Sequence, residues 1–116
     1  MTTAREAATM DLRICQAIAE RRLLMFQYGG VVRVVEPHLY GVNSAGHDAL
    51  SAWMRAGWSR ADPEGEWRMY LVGEIGELQS LPERFAGPRP DFNPDDPHFV
   101  ERYCRVERSE GGNDER

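Results

Sequence analysis

The apolar positions near the start of the chain repeat at steps of three and four residues, which is the spacing of one face of an α-helix. That face carries Met10, Ile14, Ala17 and Ile18. We predict a helix over residues 10–22, with Thr9 as its cap and with Arg21 and Arg22 in the last turn, where cations complement the helix dipole. The apolar face must pack on something larger.

Beyond residue 22 the pattern changes to short runs of β-forming residues separated by turn residues. Leu23 to Tyr28 and Val31 to Val35 flank Gly29-Gly30, a pair that can adopt the positive φ angles of a two-residue hairpin turn. Pro37 lacks a backbone donor, so it predicts a break, and a new strand should run from Leu39 to Val42.

The remaining strands are expected to be short. A tight turn through residues 43–46 leads to a segment of alternating residues, and either face of that segment could lie inside. Residues 55–66 read as an irregular loop, and Gly73 predicts a bulge or sharp bend. The strands expected here are Asp48 to Met54, Trp67 to Val72, and a short one through Ile75 and Leu78 that ends at Pro82.

Four of the seven prolines lie in the segment that follows Phe85. That density excludes a helix or a central strand but suits an ordered, extended arm, which Phe92 and Phe99 would hold in place. The predicted organisation is a flexible terminus (1–9), one domain (10–85; helix 10–22, barrel 23–85), the arm with an edge strand at 99–106 (86–106), and a disordered tail (107–116).

Short strands at close spacing, with glycines at the corners, are typical of a small sheet that bends on itself. We therefore predict a mainly β fold with one N-terminal helix: a strongly bent antiparallel sheet or a small barrel, with the helix over one open end. A chain of 116 residues suits one such domain.

Composition narrows the functional classes. The net charge of −5 and the pI near 5.2 argue against tight nonspecific binding to nucleic acid. No apolar run approaches the ~20 residues that span a bilayer, and the first residues do not resemble a signal peptide. We expect a cytoplasmic protein without membrane contact. Cys15 and Cys104 are expected as reduced thiols, with a single bridge between them as the alternative.

The order of several segments resembles a known family. AIAERRLLMFQY, then RVVEPHLYGVNSAGHDAL, then EWRMYLVGEIGELQSLPERF are similar in sequence to the WYL domain over about residues 12–85. The resemblance rests on a basic residue ending the helix, an aromatic strand end, an Arg-x-Val-x-Pro element, a glycine turn and a closing aromatic strand. These features fall at Arg22, Tyr28, Arg33 to Pro37, Gly46, Tyr70 with Ile75, and Phe85.

This resemblance implies an Sm-like or SH3-type β-barrel that senses a ligand or binds nucleic acid, in bacterial transcription regulation or defence. Of the triplet that names the family, only Leu50 is present, and Glu74 replaces a usual arginine. Family members mostly follow a DNA-binding domain, but here only about 22 residues precede the first strand. We therefore expect a standalone form that acts alone, as an oligomer or with a partner.

Arg33 is the strongest candidate for binding chemistry. A guanidinium offers a planar pair of donors to a phosphate or carboxylate, and aromatic rings beside it could stack on a base. The alternative is a structural ion pair with Glu36 or another carboxylate. We predict that the residues around the ligand are Tyr28, His38, Tyr40 and Arg68, although Arg68 could instead be neutralised by neighbouring glutamates.

A second hypothesis is a protein-interaction or oligomer-forming module without a small ligand. It would use edge strands, the proline-rich arm, and Trp58 with Arg60 in the loop. No spacing typical of a structural metal site and no catalytic motif occurs, so we expect neither an enzyme nor a cofactor.

Overall fold

A computed structural model describes residues 11–56 and 65–107 of the chain. These residues form one α-helix, α1 (Leu12–Glu20), a short 3₁₀ helix (Val72–Glu74), and six strands. The strands are β1 (Arg22–Tyr28), β2 (Val31–Asn43), β3 (Asp48–Ala56), β4 (Glu66–Leu71), β5 (Gly76–Arg84) and β6 (Phe99–Arg105). The predicted N-terminus, Thr9, most of the predicted loop and nearly all of the predicted tail lie outside the described residues.

The strands form one antiparallel sheet in the order β4-β3-β2-β1-β5, and β6 pairs with the last part of β2. Within the described residues β4 and β5 end the sheet on its two sides, so the sheet is not closed. The prediction of a mainly β, antiparallel fold with one helix is confirmed. A barrel of Sm or SH3 type is not.

Helix α1 is shorter at both ends than the apolar spacing predicted. Asp11 caps it, accepting a hydrogen bond from the backbone of Arg13 at 2.9 Å. Arg21 ends it in a left-handed conformation (φ 56°), and its N–H donates to carbonyl groups of the last turn. Because the chain turns there, Arg22 already begins β1. The buried face is the predicted one, with Ile14, Ala17 and Ile18 inside.

Strand β2 runs unbroken through Pro37, so the predicted break there is wrong. One edge of β2 pairs with β1 as far as Val35 and with β6 only from Leu39 onwards. Pro37 lies between these two partners, where no residue opposes it on that edge, and the missing N–H is tolerated. A register shift against β3 between Pro37 and Leu39 makes His38 an extra, bulged residue.

Both faces of the sheet are covered. The core face, which carries Leu24, Phe26 and Leu50, packs under α1. The opposite face, here called the arm face, carries Glu36, Trp53 and Trp67 and lies under residues 86–98, the arm. The predicted arm is therefore ordered, and it folds back on its own sheet. Phe99 is buried, and Phe92 packs against both apolar clusters.

Strand β5 is longer than predicted and runs through Pro82. It pairs with β1 along one edge only, and an edge strand can accept a proline because its outer side needs no donor. At Gly73, where the sequence predicted a bulge or sharp bend, the chain makes the 3₁₀ turn that joins β4 to β5.

Cys15 and Cys104 are joined by a disulfide bond, although 89 positions separate them in the sequence. The bond ties α1 to β6. The structure thus has the bridged form, the alternative that the sequence left open, and not the reduced thiols.

Candidate functional site

The hairpin of β1 and β2 fixes the direction of Arg33. Gly29 and Gly30 both have positive φ angles, 61° and 79°, as the turn requires. The resulting register places Arg33 directly opposite Phe26, which is buried. Directly opposite residues of an antiparallel pair share a face, so the arginine lies on the core face of the sheet.

The guanidinium of Arg33 has few partners among the described residues. Its Nη1 lies 3.5 Å from the Met54 sulfur, and its Nη2 lies 3.5 Å from the Tyr28 carbonyl oxygen. The Nε atom is buried and has no hydrogen-bond partner there. No carboxylate of residues 11–56 or 65–107 lies within ion-pair distance of this side chain. The alternative of a pair with Glu36 is wrong.

Two tyrosines stand beside this arginine. The Tyr28 ring packs edge to face on Tyr70, with centroids 4.9 Å apart, and its hydroxyl accepts a hydrogen bond from the Leu71 amide at 3.0 Å. The Tyr70 hydroxyl is buried and has no partner in the described structure. Burial raises the pKa of Tyr70, while the charges of Arg33 and Arg68 act in the opposite direction. The phenol therefore stays protonated and can donate.

Arg68 shares the core face, because β4 places it opposite Ala52. Its guanidinium forms an ion pair with Glu66, which stands two residues earlier on the same strand. The structure therefore brings Arg68 to the neighbourhood of Arg33, but with its charge largely compensated, as the alternative reading of the sequence held.

His38 is not part of this cluster. It points from the bulge to the arm face, is fully buried, and packs against Phe85, Phe92 and Trp67. Its Nε2 accepts a hydrogen bond from the Arg89 amide at 3.0 Å, which makes Nδ1 the donor to the Glu36 carbonyl at 2.8 Å. Burial lowers the pKa of His38. Both ring nitrogens are therefore bonded within the fold, and the ring lies on the face opposite Arg33.

Tyr40 is also remote from Arg33. Seven positions along β2 separate the two residues, and the Tyr40 side chain is wholly buried near the start of α1. Its hydroxyl accepts a hydrogen bond from the Asp11 amide at 2.8 Å, and burial raises its pKa to about 12. The role of this tyrosine is to fix the start of the helix, and not to contact a ligand beside Arg33.

Sequence reasoning missed the ion pair that does involve Glu36. Arg89 of the arm donates to both oxygens of this buried carboxylate, from Nε at 3.0 Å and from Nη2 at 2.8 Å. The same guanidinium lies 4.5 Å from the centre of the Trp53 ring. The pair is 53 positions apart in sequence, so no local spacing could have indicated it. Its position shows that it anchors the arm.

The remaining predicted residues, Trp58 and Arg60, lie outside the described residues. In the part of the chain that the structure describes, no group of three or more histidine, cysteine, aspartate or glutamate side chains could hold a metal ion. No helix of the described residues has the length and apolar character to cross a membrane.

Three comparisons with known proteins give no relative: no protein-family model, no curated protein and no solved structure matches this chain. The resemblance to the WYL domain therefore stays a prediction, and functional inference rests on the geometry above.

Proposed function

We propose that this protein is a WYL-like regulatory module that binds a small anionic ligand or a short nucleic acid segment at Arg33. Arg33 would supply the charge, with Tyr28 and Tyr70 beside it and Arg68 at the margin. The proposal includes a bacterial, cytoplasmic setting and a role without catalysis. The Cys15–Cys104 bond is the one feature that favours an oxidising compartment instead.

The observation that carries this proposal is the pair of unused donors on the core face. The Arg33 Nε atom and the Tyr70 hydroxyl are both buried and have no partner among the described residues. A buried donor left without an acceptor costs roughly 1–3 kcal/mol, more for a charged group. An anion that accepted hydrogen bonds from both would offset that cost, because it would also compensate the arginine charge.

The test is a calorimetric titration. Nucleotides and short single-stranded oligonucleotides are titrated into the full chain and into its Arg33→Ala variant. We expect the variant to bind at least tenfold more weakly, about 1.5–3 kcal/mol for a hydrogen bond to a charged group. Arg84→Ala is the matched control, because Arg84 is an exposed arginine on β5 and its loss changes the net charge equally. Equal binding by the wild type and Arg33→Ala would reject the proposal.

Salt dependence distinguishes the two ligand classes. A strand of nucleic acid that contacts several phosphates loses affinity steeply as salt increases, whereas a single small anion depends on salt only weakly. The binding affinity should therefore be measured at about 50 and 200 mM salt, a range in which counterion release is evident. The change in affinity then shows whether the ligand is a nucleic acid or a small anion.

A second candidate is an interaction or oligomerisation module. The free outer edges of β4 and β5 in the described sheet favour it, because unpaired strand edges can add a strand of another chain. Light scattering of the intact protein over a range of concentrations tests for a homo-oligomer. Removing residues 86–106 would not be informative, because Arg89 of the arm and Phe99 of β6 are part of the folded structure.

A further inference from the structure

A concavity lies on the arm face, where the arm crosses the outer strand β4. Its volume is about 300 Å³, at the lower end of the range for ligand pockets and enough for one long side chain. The walls include Trp67 and Met69 of β4, and Phe92, Asp91 and Asp96 of the arm. This cavity is separate from Arg33, which lies on the core face.

The aromatic part of the wall is held in a fixed orientation. Trp67 and Phe92 lie nearly parallel, with an angle of 25° between the rings and centroids 6.1 Å apart. The Trp67 indole N–H donates to Asp91 Oδ2 at 3.0 Å, and His38 packs against the same indole from the interior. A ligand would meet a preformed apolar surface, with the half-exposed Met69 beside it.

The charged part of the wall is negative. Asp91 is exposed, Asp96 is partly exposed, and Asp95 stands next to it in the arm. Arg68 lines the same cavity and forms an ion pair with Glu66, the His98 ring contacts Asp96, and the Arg102 guanidinium donates to the backbone carbonyls of Pro94 and Asp96. Asp91 and Asp95 have no ion-pair partner among the described residues, and carboxylates next to aromatic rings favour an ammonium or guanidinium group through cation–π and Coulomb attraction.

The strand that borders this cavity has an open edge. The Leu71 amide donates to the Tyr28 hydroxyl at 3.0 Å, and an N–H engaged in this way is directed away from β3. Backbone groups of alternate residues point the same way in an antiparallel strand, which directs those of Trp67 and Met69 outward as well. No strand of the described residues pairs with this edge.

Two residues of β4, Trp67 and Met69, belong both to the open edge and to the wall of the cavity. Trp67 and Met69 offer backbone donors and acceptors to an incoming strand, and their side chains line the concavity on the arm face. A strand paired there would place every second side chain on that face, next to the cavity.

We propose that β4 and this cavity form a docking site for an extended basic segment of a partner protein. The segment pairs with the backbone of Trp67 and Met69, and one of its arginine or lysine side chains enters the cavity beside Phe92, Asp91 and Asp96. This site is independent of the ligand proposed for Arg33.

The test uses a fluorescein-labelled peptide, Thr-Arg-Thr-Arg-Thr with blocked ends, and fluorescence polarisation with the full chain. We expect saturable binding that weakens with salt. The same peptide with glutamate in place of arginine should not bind. A third peptide, N-methylated at alternate residues, keeps the charge but loses strand donors, and it should bind at least tenfold more weakly.

Variants of the protein locate the site. Met69→Lys places a cation at the cavity on a half-exposed position, and the double change Asp91→Asn with Asp96→Asn removes its charge. Each should weaken peptide binding at least tenfold, with the fold verified by circular dichroism. Glu83→Gln, an exposed acid on β5, is the charge control and Arg33→Ala the control for the other site. Both should leave the affinity unchanged.

Several outcomes would overturn this proposal. Binding of the glutamate peptide with equal affinity would exclude the acidic cavity, and equal binding of the N-methylated peptide would exclude strand pairing. Unchanged affinity in Met69→Lys would exclude the location. If Arg33→Ala abolished binding while the double change at Asp91 and Asp96 left it unchanged, the docking site would be rejected; the first proposal is tested separately, with anionic ligands.

Discussion

Arg33 and Arg89 carry the same side chain in opposite environments. Arg89 donates to both oxygens of Glu36 and stacks over Trp53. Arg33 reaches only a thioether and a carbonyl among the described residues. Arg33 and Glu36 stand three positions apart on one strand and so face opposite sides of the sheet, which is why the expected pair between them cannot form. Arg89 therefore has a structural role, whereas Arg33 provides the donors on which the proposed ligand site rests.

The Arg89 pair gives a prediction about stability. Arg89→Ala leaves the carboxylate of Glu36 buried, with Arg55 at 3.9 Å as its one remaining ion-pair partner among the described residues. Breaking a buried ion pair costs about 3–5 kcal/mol, and we expect about 3 kcal/mol here because Arg89 is partly exposed. Urea unfolding measures it. Arg13→Ala breaks an exposed pair and should cost less than about 1 kcal/mol; equal losses in the two variants would contradict the prediction.

His38 gives a prediction about pH. Because burial lowers its pKa, the unfolded chain takes up a proton more readily than the folded one. The free energy of unfolding should therefore fall as the pH drops through the ordinary histidine value of 6.5, and stop falling below the folded pKa. Of the nearby charges, Glu36 and Asp91 moderate the shift and Arg89 adds to it.

The comparison is with His38→Gln, which keeps a donor and an acceptor but does not titrate. Urea midpoints between about pH 5 and 8, the range in which histidine titrates, should have a smaller slope against pH in the variant. His47 and His98 are exposed and present in both proteins, so their contributions cancel. Identical slopes would show that His38 does not control this dependence.

At the scale of elements, β2 organises the molecule. It pairs with β3 along one edge and with β1 and then β6 along the other. The bulge at His38 and the change of partner around Pro37 separate the first part of β2, which pairs with β1, from the last part, which pairs with β6. One strand therefore connects the hairpin that presents Arg33 to the region that holds the arm.

The pairing of β6 with β2 depends on Gly41. A Cβ atom at this position would collide with the backbone carbonyl oxygen of Glu101, which cannot move without displacing the strand. We expect Gly41→Ala to destabilise the protein by about 2 kcal/mol, within the range for overpacking, and to reduce amide exchange protection in β6. Gly73→Ala is the control, because nothing lies within 4 Å of its Cβ position; similar losses in both would contradict the argument.

At the scale of the whole molecule, the sheet separates two candidate binding sites, one on each face. The core face carries the unpaired donors at Arg33 and Tyr70, and the arm face carries the acidic aromatic cavity. Helix α1 covers the core face and the arm covers the other. The disulfide joins the two coverings, since Cys15 belongs to α1 and Cys104 to the strand that follows the arm.

We therefore expect the disulfide to contribute strongly to stability. A crosslink that closes a loop of this length restricts the unfolded chain and contributes about 2–4 kcal/mol. Dithiothreitol should lower the urea midpoint of the wild type by the corresponding amount. The double variant Cys15→Ser, Cys104→Ser should unfold at the midpoint of the reduced wild type and not respond to the reductant. A wild-type midpoint insensitive to reductant would contradict the prediction.

The sequence by itself determined the helix face, the hairpin and the later strands, because each depends on residues close together in the chain. The apolar spacing at Ile14, Ala17 and Ile18 identified the buried face of α1, and the glycine pair identified the hairpin that directs Arg33. Alternation and turn residues identified the later strands. In each case the signal lies within a few residues of the feature, because helix faces and tight turns are set by backbone geometry and nearest neighbours.

Tertiary structure decided everything that depends on partners distant in sequence. Pro37 is tolerated because two other strands happen to leave a gap beside it, and His38 is neutral and fully bonded because Arg89 arrives from the arm. Contacts between residues distant in sequence decide which arginine is paired and which face each strand buries. They also decide where the two candidate sites lie. Such contacts produce no periodic pattern in the sequence. Residue types could therefore indicate candidate site residues, but not which of them lie close together.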